Sequence, residues 1–147
     1  MKITKSVEIN LFFIALAINF IWEMLQMPLF SYPENASLAQ INLACIQASV
    51  GDATMVVIAF WFVAYLRKSR AWFLHPSASS LALFLLPGII MTIAFEAIAT
   101  ELLHRWTYAD SMPILPILGT GLAPLGQWLV LPPAILFILR RQVRLSN

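Results

Sequence analysis

Charge is scarce in this sequence. Nine Lys/Arg and seven Asp/Glu in 147 residues make 11% of the chain, against about 25% in a typical soluble domain. So few charges cannot coat a water-soluble globule of this size. That excludes an ordinary soluble enzyme, a disordered tail and a nucleic-acid binder, in spite of a basic pI near 9.0. Cys45 is the only cysteine, so neither a disulfide framework nor a cysteine zinc site is expected. Two histidines are too few for a His-rich metal centre or a bis-histidine haem cage. Apolar residues fill the space instead: 61% of the chain is hydrophobic and the mean hydropathy is +0.83.

A membrane helix needs about 20 mostly apolar residues. Four segments qualify, 7–30, 41–66, 81–103 and 117–139, giving a single all-α transmembrane domain over 1–147, an integral membrane four-helix bundle. The breaks have loop chemistry: Ser31-Tyr32-Pro33-Glu34-Asn35, then Arg67-Lys68-Ser69-Arg70 on to Ser80, then His104 to Pro116. Pro87, Pro124, Pro132 and Pro133 fall inside spans, where each removes a backbone donor. The first span is too long for a signal peptide and lacks a small-x-small cleavage site, so it reads as a retained helix. Eight Lys/Arg lie at the termini and in the middle loop: Lys2, Lys5, Arg67, Lys68, Arg70, Arg140, Arg141 and Arg144. Only Arg105 lies in the other two loops. The positive-inside rule then predicts a multi-pass protein of the cell inner membrane with both termini and the middle loop cytoplasmic.

An ionisable residue at the centre of a span costs about 2.5–3.5 kcal/mol on insertion scales, and is a functional suspect for that reason. Glu23, Asp52, Glu96 and Glu101 are such residues, joined by Asn19, Gln26, Gln47 and Gln127. At about 1.5 Å per residue, Glu23 and Glu96 sit roughly 10 Å from the outer surface, with Asp52 and Gln127 roughly 15 Å deep. Glu101 lies near that surface, within reach of Arg105 or His104. Asn19, Glu23 and Gln26 share one helix face, as do Cys45, Ser49 and Asp52, and then Thr92, Glu96 and Thr100. Helix–helix glue explains single amides and hydroxyls at about 0.6 kcal/mol each. It does not call for three carboxyls at similar depth. Glu23, Asp52 and Glu96 are therefore the catalytic candidates. Asn19, Trp22, Gln26, Trp106, Tyr108 and Gln127 are the ligand-binding candidates. The expected site opens outward.

Residues 19–25 and 92–98 share a pattern: a polar residue, two apolar ones, an aromatic, Glu, then two apolar ones. Gly51-Asp52 stands to the first as Gly126-Gln127 stands to the second, at separations of 29 and 31 residues. Two hairpins in the same orientation, related by a pseudo-twofold axis along the membrane normal, would account for this, with the site at their interface. Gly119, Gly121 and Pro124 near the fourth span either open that helix toward a cavity or, more simply, provide small residues for close helix contact. Glu101 and His104 have the Glu-x-x-His spacing of di-iron bundles, but no second copy exists, so no metal is expected. Gly51-Asp52 lacks the second aspartate that an intramembrane aspartyl protease needs.

Residues 19–23, ending in Trp22-Glu23, resemble the Trp-Glu signature of the meroterpenoid membrane cyclases, which protonate polyprenyl substrates. More broadly, Trp22-Glu23-x-x-Gln26, Gly51-Asp52 and Gly121-Leu122-x-Pro124-Leu125-x-Gln127 resemble motifs of uncharacterised bacterial four-span membrane proteins. The first resemblance implies acid chemistry on an isoprenoid, and the second implies no activity. Three readings stay open. One is an enzyme, an isomerase or cyclase of a lipid or isoprenoid using an intramembrane carboxylic acid. Another is a proton-coupled or cation-binding small transporter. The third is an accessory subunit of a larger membrane complex. The expected partners are membrane lipid and a hydrophobic small molecule, with an oligomer or larger complex also open. The sequence names no cofactor.

Overall fold

The computed structural model describes residues 7–145. Lys2 and Lys5, two of the orientation charges, lie outside them. Four helices dominate: α1 (Val7–Gln26), α2 (Leu38–Leu66), α3 (Ala78–Ala97) and α4 (Leu122–Leu145). All four are long and apolar enough to cross a bilayer. Two short strands, β1 (Phe30–Ser31) and β2 (Thr107–Tyr108), follow α1 and precede α4. The chain is an integral membrane helical bundle, as its composition requires. α1 packs on α2 and α4, and α3 packs on the same two helices, so the four close into a ring.

Helix ends follow local chemistry, and all four helices correct the boundaries expected from hydropathy. α1 stops at Gln26 because Pro28 follows, and Met27–Leu29 tightens into a 3₁₀ turn. α2 starts three residues earlier than expected. Ser37 caps it, accepting from the Gln40 backbone, while the Gln40 side chain accepts from the Ser37 backbone. α3 starts at 78 and not 81, because Ser77 caps it by accepting from the Ser80 backbone, and its regular part ends at Ala97. α4 starts at 122 and not 117, running on to 145. Gly119 takes a left-handed φ of 64°, open to glycine without strain. The chain there folds on itself, with Leu115 N–H bonded to the Thr120 carbonyl and Ile114 bridged to Gly121. Gly119 and Gly121 therefore build a loop and do not mediate helix–helix contact. A Cβ on Gly121 would meet Tyr108 and Met112 at 3.0–3.2 Å.

The core stripe of α1 repeats every four residues, Val7, Leu11, Ala15 and Asn19, all buried. It meets a stripe of α2 that includes the small residues Cys45, Ser49, Ala53 and Ala59, whose size lets helices approach closely. The outward surface is equally apolar. Phe13, Leu25, Tyr65, Leu102 and Phe137 are each more than 60% exposed, which suits lipid and not water.

The two ends of the bundle differ. At one end β1 pairs antiparallel with β2, Phe30 opposite Tyr108 and Ser31 opposite Thr107, clasping the first loop to the third. Ala109 N–H extends the clasp to the Leu29 carbonyl at 3.0 Å. At the other end Trp72–Leu74, inside the basic loop, turns back into the bundle as a buried plug. Trp72 packs on Phe60 and Phe84, Phe73 packs on Phe60, and the Trp72 indole donates to the Phe60 carbonyl at 3.2 Å. Arg70 and Glu8 form an ion pair beside this plug and fasten the start of α1 to the loop. Hydrogen bonding to Glu8 holds the Arg70 guanidinium above its usual pKa.

Candidate functional site

A cavity of about 510 Å³ lies among the four helices and reaches the clasp end. Glu23 from α1, Asp52 from α2, Glu96 from α3 and Gln127 from α4 all line it. Each of the three carboxyl groups is only partly buried in the chain, which fits side chains facing a void. The remaining wall is mostly apolar, with Met55, Met91, Phe95 and Trp128 among its residues. Matched positions of the two sequence halves, Glu23 with Glu96 and Asp52 with Gln127, thus face one space. Their volume and chemistry suit a small-molecule site, since such pockets run from about 300 to 1,000 Å³ with a few convergent polar groups.

A directed chain of hydrogen bonds holds the polar side in place. Trp22 Nε1 donates to Gln26 Oε1 at 3.0 Å, Gln26 Nε2 donates to Gln127 Oε1 at 3.3 Å, and Gln127 Nε2 donates to Asn19 Oδ1 and Asp52 Oδ2, both at 2.8 Å. An indole N–H can only donate, so each amide beyond it has its oxygen and nitrogen ends assigned. The sense of the chain makes the Asp52 oxygen an acceptor. The two hydrogens of Gln127 Nε2 serve the two short bonds, and a longer contact of 3.4 Å reaches Glu23 Oε1. Asn19 is anchored in turn, its Nδ2 donating to the Ala15 carbonyl at 2.8 Å. Gln127, three residues inside the Pro124 turn of α4, is the hub that ties α1, α2 and α4 together.

Glu96 has a separate support. Tyr108 of β2 donates its hydroxyl to Glu96 Oε2 at 2.6 Å, so the clasp and a cavity carboxyl are joined directly. Burial first, and then this bond, push the Tyr108 phenol above its ordinary pKa. Just past Glu96 the helix widens into a π turn, Ile98–Leu102, a local irregularity often found beside functional groups. The turn breaks the regular face expected for Thr92, Glu96 and Thr100. Thr92 lines the cavity, whereas Thr100 donates back to the Glu96 carbonyl at 2.7 Å.

Gln26, Trp106 and Gln127, of the ligand-binding candidates, line the cavity. Asn19, Trp22 and Tyr108 stand behind it and hold the lining groups through the bonds just described. Glu101 is exposed and forms no ion pair with Arg105 or His104; Glu8–Arg70 is the single ion pair among the described residues. Gln47 faces outward from α2, and Ser49 satisfies itself on the Cys45 carbonyl at 2.8 Å. Sequence reasoning missed Tyr32, Cys45 and Trp128 as cavity residues. The sequence signals for two of them are that Cys45 shares the Asp52 face of its helix and that Trp128 directly follows the hub glutamine. Among the described residues no three His, Cys, Asp or Glu side chains come together as a set of metal ligands. Compared with known protein families, curated proteins and solved structures, the chain finds no match.

Proposed function

We propose that this protein binds a hydrophobic small molecule, a lipid or isoprenoid, in an intramembrane cavity and acts on it by proton transfer from a carboxylic acid. The observation that carries the reading is the meeting of Glu23, Asp52 and Glu96 around one largely apolar space. An alkene held there can take a proton from one carboxyl to form a C–H bond and a carbocation. A second carboxylate then removes a proton from a neighbouring carbon. The balance is an isomerisation, or a cyclisation if an internal alkene captures the cation, and it requires no redox partner. The aromatic faces of Phe95 and Trp128 suit a developing positive charge. The likeness of residues 19–23 to the Trp-Glu signature of the meroterpenoid cyclases adds weight to the same chemistry.

In this reading the clasp end faces outward in a cell inner membrane and both termini are cytoplasmic, following the Lys/Arg distribution. The aromatic plug then closes the cytoplasmic end, which favours an outward-opening enzyme over a transporter. The test uses the full chain in lipid nanodiscs with farnesol in D₂O. Deuterium entering the recovered farnesol or an isomer of it, above the level in empty nanodiscs, is the expected result. Asp52→Asn, Glu23→Gln and Glu96→Gln each keep an oxygen acceptor and remove the acid. At least one of them should cut incorporation by tenfold or more. No incorporation above empty nanodiscs, or full incorporation in all three variants, overturns the acid–base reading.

A further inference from the structure

The carboxyl chamber is walled unevenly. Its lining residues from α4, Pro124, Gln127 and Trp128, are buried, and so is Gln26 of α1. The α2 and α3 walls differ. Gly51 and Thr54 of α2 line the cavity and are exposed, as is Phe95 of α3 at 54%. Ile98, where the π turn begins, is another exposed lining residue. Leu103 and Arg105 continue this exposed edge toward the clasp end. The open side is the one between α2 and α3.

Asp52 and Thr54 fix how far the opening runs. Two residues apart, they lie about 160° from one another around the axis of α2, yet both line the same cavity. The cavity therefore passes round the flank of α2, from the face that carries Asp52 to the face that carries Thr54. Gly51 stands on that flank between them, and a Cβ there would meet nothing within 4 Å. Its missing side chain leaves the gap clear. At about 1.5 Å per residue, Gly51 is about 20 Å from either end of the 29-residue α2. The gap thus meets hydrocarbon and not headgroups. Its rim suits that medium: Phe95 and Ile98 are apolar, and the Thr54 hydroxyl is spent on the Val50 carbonyl at 2.8 Å.

We infer that the chamber opens sideways into the bilayer between α2 and α3, and that its ligand is a membrane-resident alkenyl chain longer than the chamber, whose remainder passes over Gly51 into the lipid. This deepens the acid–base reading above and rests on it for the chemistry done on the chain. Such a ligand reaches Asp52 and Glu96 without crossing water. Lipid tails are as apolar as the chamber wall, so the chain gains little by the transfer itself. The carboxyls and the aromatic faces must hold its reacting end. Gly51 is then a specificity-determining residue: the chamber selects the reacting end, and the gap over Gly51 frees the ligand from any limit on length.

Native mass spectrometry of the full chain, released from nanodiscs doped with farnesol or undecaprenol, reads occupancy without relying on turnover. Farnesol is of a size that a pocket of this volume encloses, whereas the undecaprenol chain is several times longer. Both should bind the unaltered chain. Gly51→Phe puts a ring in the gap and should cut undecaprenol occupancy at least tenfold relative to farnesol. Gly51→Ala adds only the Cβ that meets nothing, and should preserve the ratio of the two. Thr54→Phe narrows the gap from its outer side and should shift the ratio in the same direction as Gly51→Phe. Should Gly51→Phe lose both ligands alike, Thr54→Phe decides: a shifted ratio upholds the portal and an unshifted one overturns it. Unchanged occupancy of both ligands in both phenylalanine variants overturns it, as does farnesol binding to the unaltered chain without undecaprenol. Each of these leaves the chamber reading standing. Failure of both ligands to bind the unaltered chain overturns the portal as well. Deuterium incorporation into farnesol, measured separately, then decides whether the acid–base reading falls with it.

Discussion

Two of the three tyrosines border the site, and burial governs both. The Tyr32 phenol is pushed up to about 12, by burial above all. Tyr108 is raised by burial and then by its bond to Glu96. A folded pKa above the unfolded one means that folding favours the neutral phenol. That contribution is complete below the unfolded value of about 10 and is lost as pH rises through the folded value. At about pH 11, above the unfolded value, removing either hydroxyl as Tyr32→Phe or Tyr108→Phe should leave the tyrosinate absorbance of the folded protein almost unchanged. The same substitutions should lower it clearly in denaturant. An equal drop in both states would show that the rings are not shielded. Residue by residue, the carboxyls and Gln127 were legible because each breaks an apolar run at a cost that demands a reason. Which groups line the space and which stand behind was not legible. Asn19 and Gln26 share a helix face, yet one supports the hub and the other borders the cavity. Only the distances to Gln127 separate them.

Glycine has opposite meanings in two of the helices. A Cβ on Gly88 of α3 would fall 1.9 Å from the Trp128 ring, whereas one on Gly51 of α2 would meet nothing within 4 Å. Gly88→Ala should therefore push Trp128 out of its place, costing about 1–3 kcal/mol as overpacking does. Gly51→Ala should be neutral or stabilising by about 0.5–1 kcal/mol, the usual gain of alanine over glycine inside a helix. Thermal unfolding of the detergent-solubilised variants checks the pair, and an equal effect of both would contradict the α3–α4 packing. The existence of all four helices was readable from hydropathy. Their ends were not, because ends depend on short-range devices: the Ser37 cap, Pro28, and the left-handed Gly119. The plug escaped too. Trp72, Phe73 and Leu74 are too few to make a span, and the surrounding Arg and Lys disguise them as loop.

Seen whole, the molecule has a basic, plugged end and a clasped end with one arginine. That asymmetry makes orientation testable with single cysteines placed in a Cys45→Ala background. Asn35→Cys, in the clasp-end loop, should react with a membrane-impermeant thiol reagent applied to intact cells. Ser69→Cys should react only after the membrane is opened. The reverse pattern would invert the topology. The hub residue has a different consequence, for the order in which the chain is made. Gln127 sits on the last helix, yet its amide satisfies Asn19 of the first and Asp52 of the second. Until α4 is inserted, those two acceptors stand in the membrane without their donor. The clasp must wait as well, since β2 lies beyond the third helix. The first three helices can be threaded in succession, but the polar centre closes last. During synthesis the half-made bundle depends on the insertion machinery or on water to shelter Asp52, and arrival of the fourth helix releases it.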